Sequence, residues 1–127
     1  MKFRPVSGVP RLESTPLAEI SIRDTSVVVE LDDENDKRIR LVFDPRQAIR
    51  VTTSDCFILP SDLTIIPQVV VEVLESEWIA ELRSNLRKID AGADFMDRAH
   101  HYLIPLQDDF LEVVAWGVRI EDIATSV

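Results

Sequence analysis

Apolar residues in this chain alternate with polar ones at a period of two along most of its length, and fall at helical spacing in one stretch only. That contrast constrains the fold most. A period of two puts apolar side chains on one face of a strand, whereas a period of 3.6 puts them on one stripe of a helix. Arg38 to Phe43 is the clearest alternating run, with Ile39, Leu41 and Phe43 pointing one way and Arg38 and Arg40 the other. Leu17 to Arg23 alternates through Ile20 and Ile22, and Ser26 to Leu31 is rich in β-branched residues. Asp24-Thr25 between them reads as a hairpin turn. Asp44-Pro45 is expected to break the chain before a further strand, Gln47 to Thr53. Val69 to Leu74 has the strongest β character, and its two apolar faces predict burial on both sides.

Two closing strands, 100–106 and 110–118, turn at Gln107-Asp108-Asp109. On the second, Phe110, Val114, Trp116 and Val118 share a face with Glu112, and Leu111, Val113 and Ala115 share the other. The helical stretch lies between the strands. Ser76 is an N-cap, Glu77 occupies the first turn, and Arg87 and Lys88 lie in the last, as the helix dipole favours. Trp78, Ile79, Leu82, Leu86 and Ile89 form the apolar stripe, so the spacing predicts a helix over 77–89 with Gly92 as its stop. Trp78 is expected in the core, with Trp116 beside the helix. A further short helical turn is expected within Asp94 to Ala99.

Pro5, Pro10, Pro16 and Gly8 predict an irregular segment over 1–16. A loop is expected over 54–67, where Pro60 and Pro67 interrupt and Ser61-Asp62 caps a turn, and a tail over 120–127. The expected class is α+β, with one domain over 1–127. It has an antiparallel sheet of about six or seven strands and one main helix packed on a face. An open sheet and a curled one both satisfy the pattern.

Fourteen Lys+Arg against 23 Asp+Glu give a net charge of −9, and the deficit falls mainly in the second half. This is the wrong sign for a nucleic-acid binder, whose affinity comes from neutralised phosphates. It suits a basic protein partner. No apolar run approaches a membrane span, and Met1-Lys2-Phe3-Arg4-Pro5 has no apolar stretch of a signal peptide behind it. Cys56 stands alone, so no internal disulfide forms, and a cytoplasmic location is expected.

Little in the sequence points to catalysis. Three scattered glycines make no phosphate loop, and no Gly-x-Ser-x-Gly elbow occurs. Glu112, set among apolar residues, is either an acid or base with a raised pKa or the partner of Arg50, the basic residue in mid-strand. His100 and His101 point to opposite faces of a strand and do not share a ligand. Asp94, Asp97 and His100 share a face only if 94–100 is helical, and no fourth ligand completes a metal site. Cys56 within Cys-Phe-Ile-Leu reads as a small buried apolar residue. No cofactor, metal or catalytic residue is therefore expected, and the chain is not expected to be an enzyme. Asp32, Asp33, Glu34 and Asp36 crowd the tip of one hairpin and are the first expected partner contacts, with Asp108 and Asp109 second.

The closing block, His101-Tyr102-Leu103-Ile104 followed by Asp108-Asp109-Phe110-Leu111-Glu112-Val113-Val114-Ala115, resembles small bacterial immunity-type proteins of polymorphic and contact-dependent toxin systems. Ser76-Glu77-Trp78-Ile79 ahead of a helix resembles the same pattern. The likeness covers about a third of the chain. It implies a protein that acts by binding and occluding a toxin, and it supplies no catalytic residues. Two alternatives stand beside it: a small self-associating structural protein, and a small enzyme or ligand carrier with Glu112 in a cavity.

Overall fold

The computed structural model describes residues 2–58 and 68–123. The expected turn at Ser61-Asp62 lies outside them, as do the last four residues of the expected tail. Seven strands form one antiparallel sheet: β1 (Lys2–Pro5), β2 (Glu19–Arg23), β3 (Ser26–Asp32), β4 (Arg38–Thr53), β5 (Val71–Leu74), β6 (His100–Pro105) and β7 (Asp109–Asp122). Their order across the sheet is β1-β5-β6-β7-β4-β3-β2, and the sheet does not close into a barrel. One helix, α1 (Glu77–Ile89), follows β5. No helix among the described residues is long and apolar enough to cross a membrane.

The strand order explains three departures from expectation. Lys2–Pro5, within the segment expected to be irregular, pairs with β5 through Lys2↔Leu74 to Pro5↔Val71. Pro5 is tolerated because β1 is an edge strand, with no neighbour on its far side among the described residues. Asp44-Pro45 does not end its strand, and β4 runs continuously to Thr53. The last β3–β4 pair is Val27↔Phe43, so Pro45 sits just beyond the point where that side of β4 needs ladder donors. Ile120 to Asp122, expected in the tail, belongs to β7 and pairs with the start of β4, including Leu41↔Ile120 and Ile39↔Asp122. β7 has to match the full length of β4, because the first half of β4 would otherwise lose a partner for its core-facing residues.

Most of the core lies on one face of the sheet. Val27, Val29, Leu31, Ile39, Leu41, Phe43, Tyr102, Ile104, Leu111 and Val113 are buried there together. Residues 6–18 cover this face and bring Val6, Val9, Leu12 and Ala18 onto it. The segment is tied at both sides. Val6 N donates to Val70 O at 2.9 Å and Leu12 N to Gln68 O at 2.8 Å, while Asp32 N donates to Pro16 O at 2.8 Å. It is irregular beyond β1, as its prolines require, yet it is part of the domain.

A register shift between Arg46 and Ala48 interrupts the β4–β7 ladder. Beyond it Val118 packs on the main core beside Leu111, Val113 and Ala115, not on the face of Glu112 as strict alternation implied. The opposite face carries Val71, Val73 and Leu103, with Phe3, Phe57 and Phe110 packed against them. Val70 faces one side and Val71 and Val73 the other, so both faces of the β5 region are buried as expected.

The helix has its expected bounds. Ser76 Oγ accepts from Ile79 N at 3.1 Å, and Glu77 occupies the first turn. The stop is Asp90, whose N–H reaches Leu86 O, two residues ahead of Gly92. The apolar stripe is only half-buried, and Ile89 is exposed, so α1 contributes no fully buried residue to the core. A 3-10 turn, Phe95–Arg98, fills the expected short helical stretch. Asp97 in it receives Arg83 and Arg87 from α1.

Candidate functional site

Among the described residues Glu112 is the most deeply buried charged side chain. It stands directly opposite Arg50 on β4 and Leu103 on β6, in the middle of the sheet, with 2% of its surface exposed. A carboxylate there needs partners, because an unpaired charge in so dry a place costs several kcal/mol. It has two. Arg50 donates from Nε to Oε1 at 2.7 Å and from Nη2 to Oε2 at 2.9 Å, a two-pronged pair. His101 Nε2 lies 2.6 Å from Oε2. Burial pushes the Glu112 carboxyl up, but the His101 and Arg50 hydrogen bonds and the charges behind them outweigh it, and its pKa falls below the ordinary 4.5. The alternative of a raised, proton-donating carboxyl is therefore corrected: opposite charge wins over burial.

The chain of contacts continues outward. His101, itself 3% exposed, places Nδ1 2.7 Å from Ser76 Oγ. Trp78 meets the His101 ring edge-on at 5.3 Å, and the Arg50 guanidinium lies 4.0 Å over the Trp78 ring. A cavity of about 490 Å³ opens here, its wall including Arg50, Val73, Ser76, Trp78 and His101. Glu112 stands behind His101 rather than at the mouth.

Serine, imidazole and carboxylate in line is the arrangement of a hydrolase. Two contacts argue for a structural brace. Ser76 Oγ already caps α1 by accepting the Ile79 amide, and the Glu112 charge is already shared with Arg50. With Glu112 ionised, its oxygens accept from Arg50 and from His101 Nε2, and the other ring nitrogen of His101 is engaged by the Ser76 hydroxyl. The line fastens the start of α1 through β6 to the centre of the sheet.

A second buried-side network sits on the other face. His100 Nδ1 lies 2.7 Å from Glu72 Oε2, and Arg4 Nη2 donates to Glu72 Oε1 at 2.9 Å. Burial raises the Glu72 carboxyl, but its His100 and Arg4 contacts win and the pKa is lowered. Tyr102, buried and beside the Glu72 charge, is pushed up to about 12. The two histidines face opposite sides, as strand geometry required. Asp97 is taken by Arg83 and Arg87 and His100 by Glu72, so the Asp94/Asp97/His100 set does not assemble. Among the described residues no cluster could hold a metal ion.

Both glutamates have folded-state pKa values below 4.5, so each contributes stability that is fully present above that pH. It is lost as pH falls through the lowered values. Urea midpoints measured from neutral pH into the acid range are expected to hold steady and then decline below about pH 4.5. Glu72→Gln with Glu112→Gln should flatten that acid slope, and an unchanged slope would discount the networks.

The expected contact residues fare unequally. Asp33, 5% exposed, is consumed by the turn, where its Oδ1 accepts from Asn35 N and Lys37 N at 2.9 Å each. Asp32 pairs with Arg38 at 3.3 Å, and Glu34 lies 3.9 Å from Arg11. Of the first-choice set only Asp36 is left with neither a basic partner nor a turn hydrogen bond to its carboxylate among the described residues. Asp108 and Asp109 are different. Ser54 N donates to Asp108 O at 2.9 Å and Thr53 stands opposite Asp109, which brings Asp55 to the same end of the sheet. None of Asp55, Asp108 and Asp109 reaches a basic side chain among the described residues. Sequence reading missed Asp55 because only the 3-10 turn Ser54–Cys56 carries it there. That turn also exposes Cys56, which was expected to be buried; Phe57 packs instead, 4.4 Å from Phe110. Trp116 is met by Arg98 at 4.9 Å, from the 3-10 turn rather than from α1.

Compared with family models, with curated proteins and with solved structures, the chain finds no match in any of the three.

Proposed function

We propose that the chain is a non-enzymatic binding protein of the cytoplasm, an immunity-type inhibitor that meets a basic toxin domain through acidic surface. The observation that carries this reading is the set of carboxylates without basic partners at one end of the sheet, Asp55, Asp108 and Asp109. The hairpin tip contributes Asp36, while Asp32, Asp33 and Glu34 are largely neutralised or structural. Unneutralised carboxylates gathered on one end steer a basic partner and accelerate encounter. The commitment of Ser76 and Glu112 to other partners favours binding over catalysis at the cavity.

The test is inhibition of a basic toxin domain encoded beside this gene. Association is expected to weaken with salt, and Asp55→Asn, Asp108→Asn and Asp109→Asn together should slow it by about tenfold with thermal stability kept. A complex indifferent to both salt and this triple substitution would sink the acidic-surface reading. Labelling of Ser76 by a fluorophosphonate would overturn the non-enzymatic one, with Ser76→Ala as the control.

A further inference from the structure

β2 is an edge strand, and its exposed residues form a self-complementary set. We infer that this edge docks a second copy of the chain, β2 pairing antiparallel with β2 of the copy across a two-fold axis at Ser21.

The backbone sets the register. The two-residue turn Asp24-Thr25 joins Arg23 to Ser26, which stand opposite each other. Such a turn closes on a hydrogen-bonded pair, and bonded pairs alternate along an antiparallel ladder. The bonded pairs are thus Arg23/Ser26, Ser21/Val28 and Glu19/Glu30. The amide and carbonyl groups of Ile20 and Ile22 face away from β3, toward the open edge. A two-fold axis at Ser21 sets Ile20 of one copy opposite Ile22 of the other, outward groups against outward groups. Only this centre engages all five residues of the strand.

The side chains agree with that register. Ile20 and Ile22 stand opposite Val29 and Val27, so they lie on the main-core face, yet they are 37% and 57% exposed. Pairing lays each against the other's counterpart and continues the core across the axis. At both ends Glu19 meets Arg23 of the copy, and both residues are exposed. Parallel pairing in register would instead set glutamate beside glutamate and arginine beside arginine. The hairpin is also held firmly. Asp44 Oδ1 accepts from Thr25 Oγ1 at 2.7 Å and Ser26 Oγ at 3.0 Å, and Arg46 N donates to Thr25 O at 2.7 Å. The edge therefore reaches a partner already ordered. One five-residue strand on each side is a small contact beside the roughly 1,200 Å² of a stable interface, so association belongs in the micromolar range.

Sedimentation velocity over the micromolar range is expected to show the 14.4 kDa chain passing to a dimer as concentration rises. Glu19→Arg alone, or Arg23→Glu alone, sets like charges opposite at both ends and should raise the dimer Kd about tenfold. The two together should return it to within about threefold of the parent. That rescue separates the interface from the Glu19–Arg38 contact at 3.7 Å within one chain, which Arg23→Glu does not restore. Amide exchange at Ile20 and Ile22 should slow as the dimer forms. A mass that stays monomeric throughout would overturn the inference, and so would a dimer insensitive to the charge exchange or protected along β1 instead.

Discussion

Replacing Phe43 with alanine is expected to lower the unfolding free energy by about 3–5 kcal/mol, the cost of deleting a large core ring and leaving a cavity. Phe43 has no exposed surface and packs against Tyr102 with ring centroids 5.2 Å apart. It lies where β4 passes from its β3 partner to an unpartnered edge, so the surrounding backbone is held by β7 and cannot collapse into the space. Domains of this size hold about 5–15 kcal/mol in all, so the variant should stand close to unfolding at ambient temperature. Val51, on the same strand but half exposed, supplies the contrast. Val51→Thr should change stability by less than about 0.5 kcal/mol. Urea denaturation of the two variants decides the matter, and similar losses would mean that the core has been assigned to the wrong face.

Arg50→Ala is expected to cost about 3 kcal/mol, near the lower end for breaking a buried ion pair. The loss is not that of the guanidinium, which is itself half exposed. It is that of Glu112, left ionised at the centre of the sheet with His101 as its remaining partner. Arg50→Lys should recover part of the loss, since an ammonium supplies the charge without the two-pronged geometry. Removal of Arg50 also takes the cation from the face of Trp78, so fluorescence of that indole should report the change. If Arg50→Ala unfolds at the parent's urea midpoint, the pair carries no weight and the brace argument fails with it.

The helix was readable because its signals are local: a serine cap, an acidic first turn, basic residues in the last and apolar spacing between them. The strands were readable for the same reason, as was the Arg50–Glu112 pair, which needed only two mid-strand residues of opposite charge. The order of the strands was not. That β7 lies between β6 and β4 depends on pairings far apart in the chain, and no local pattern encodes them. The link from Ser76 to His101 follows from β5 pairing with β6, and Asp55 joins Asp108 and Asp109 through the β4–β7 ladder. Pro45 was misread because a proline rule was applied without knowing where β3 ends. Cys56 was misread because its apolar neighbours suggested burial that a 3-10 turn undoes.

The central place of β7 has a consequence for how the molecule comes into being on a ribosome. The strands made first fall into two groups, β2-β3-β4 and β1-β5-β6, and within the sheet β7 is the strand that pairs with both. Until β7 has left the exit tunnel, β4 and β6 each present an open edge, and Glu112 has not yet met Arg50 or His101. Vectorial synthesis therefore yields two half-sheets awaiting a keystone. Nascent chains halted before Asp109 should be captured by chaperones and cut readily by protease, and release of the last strand should convert them together into the resistant form.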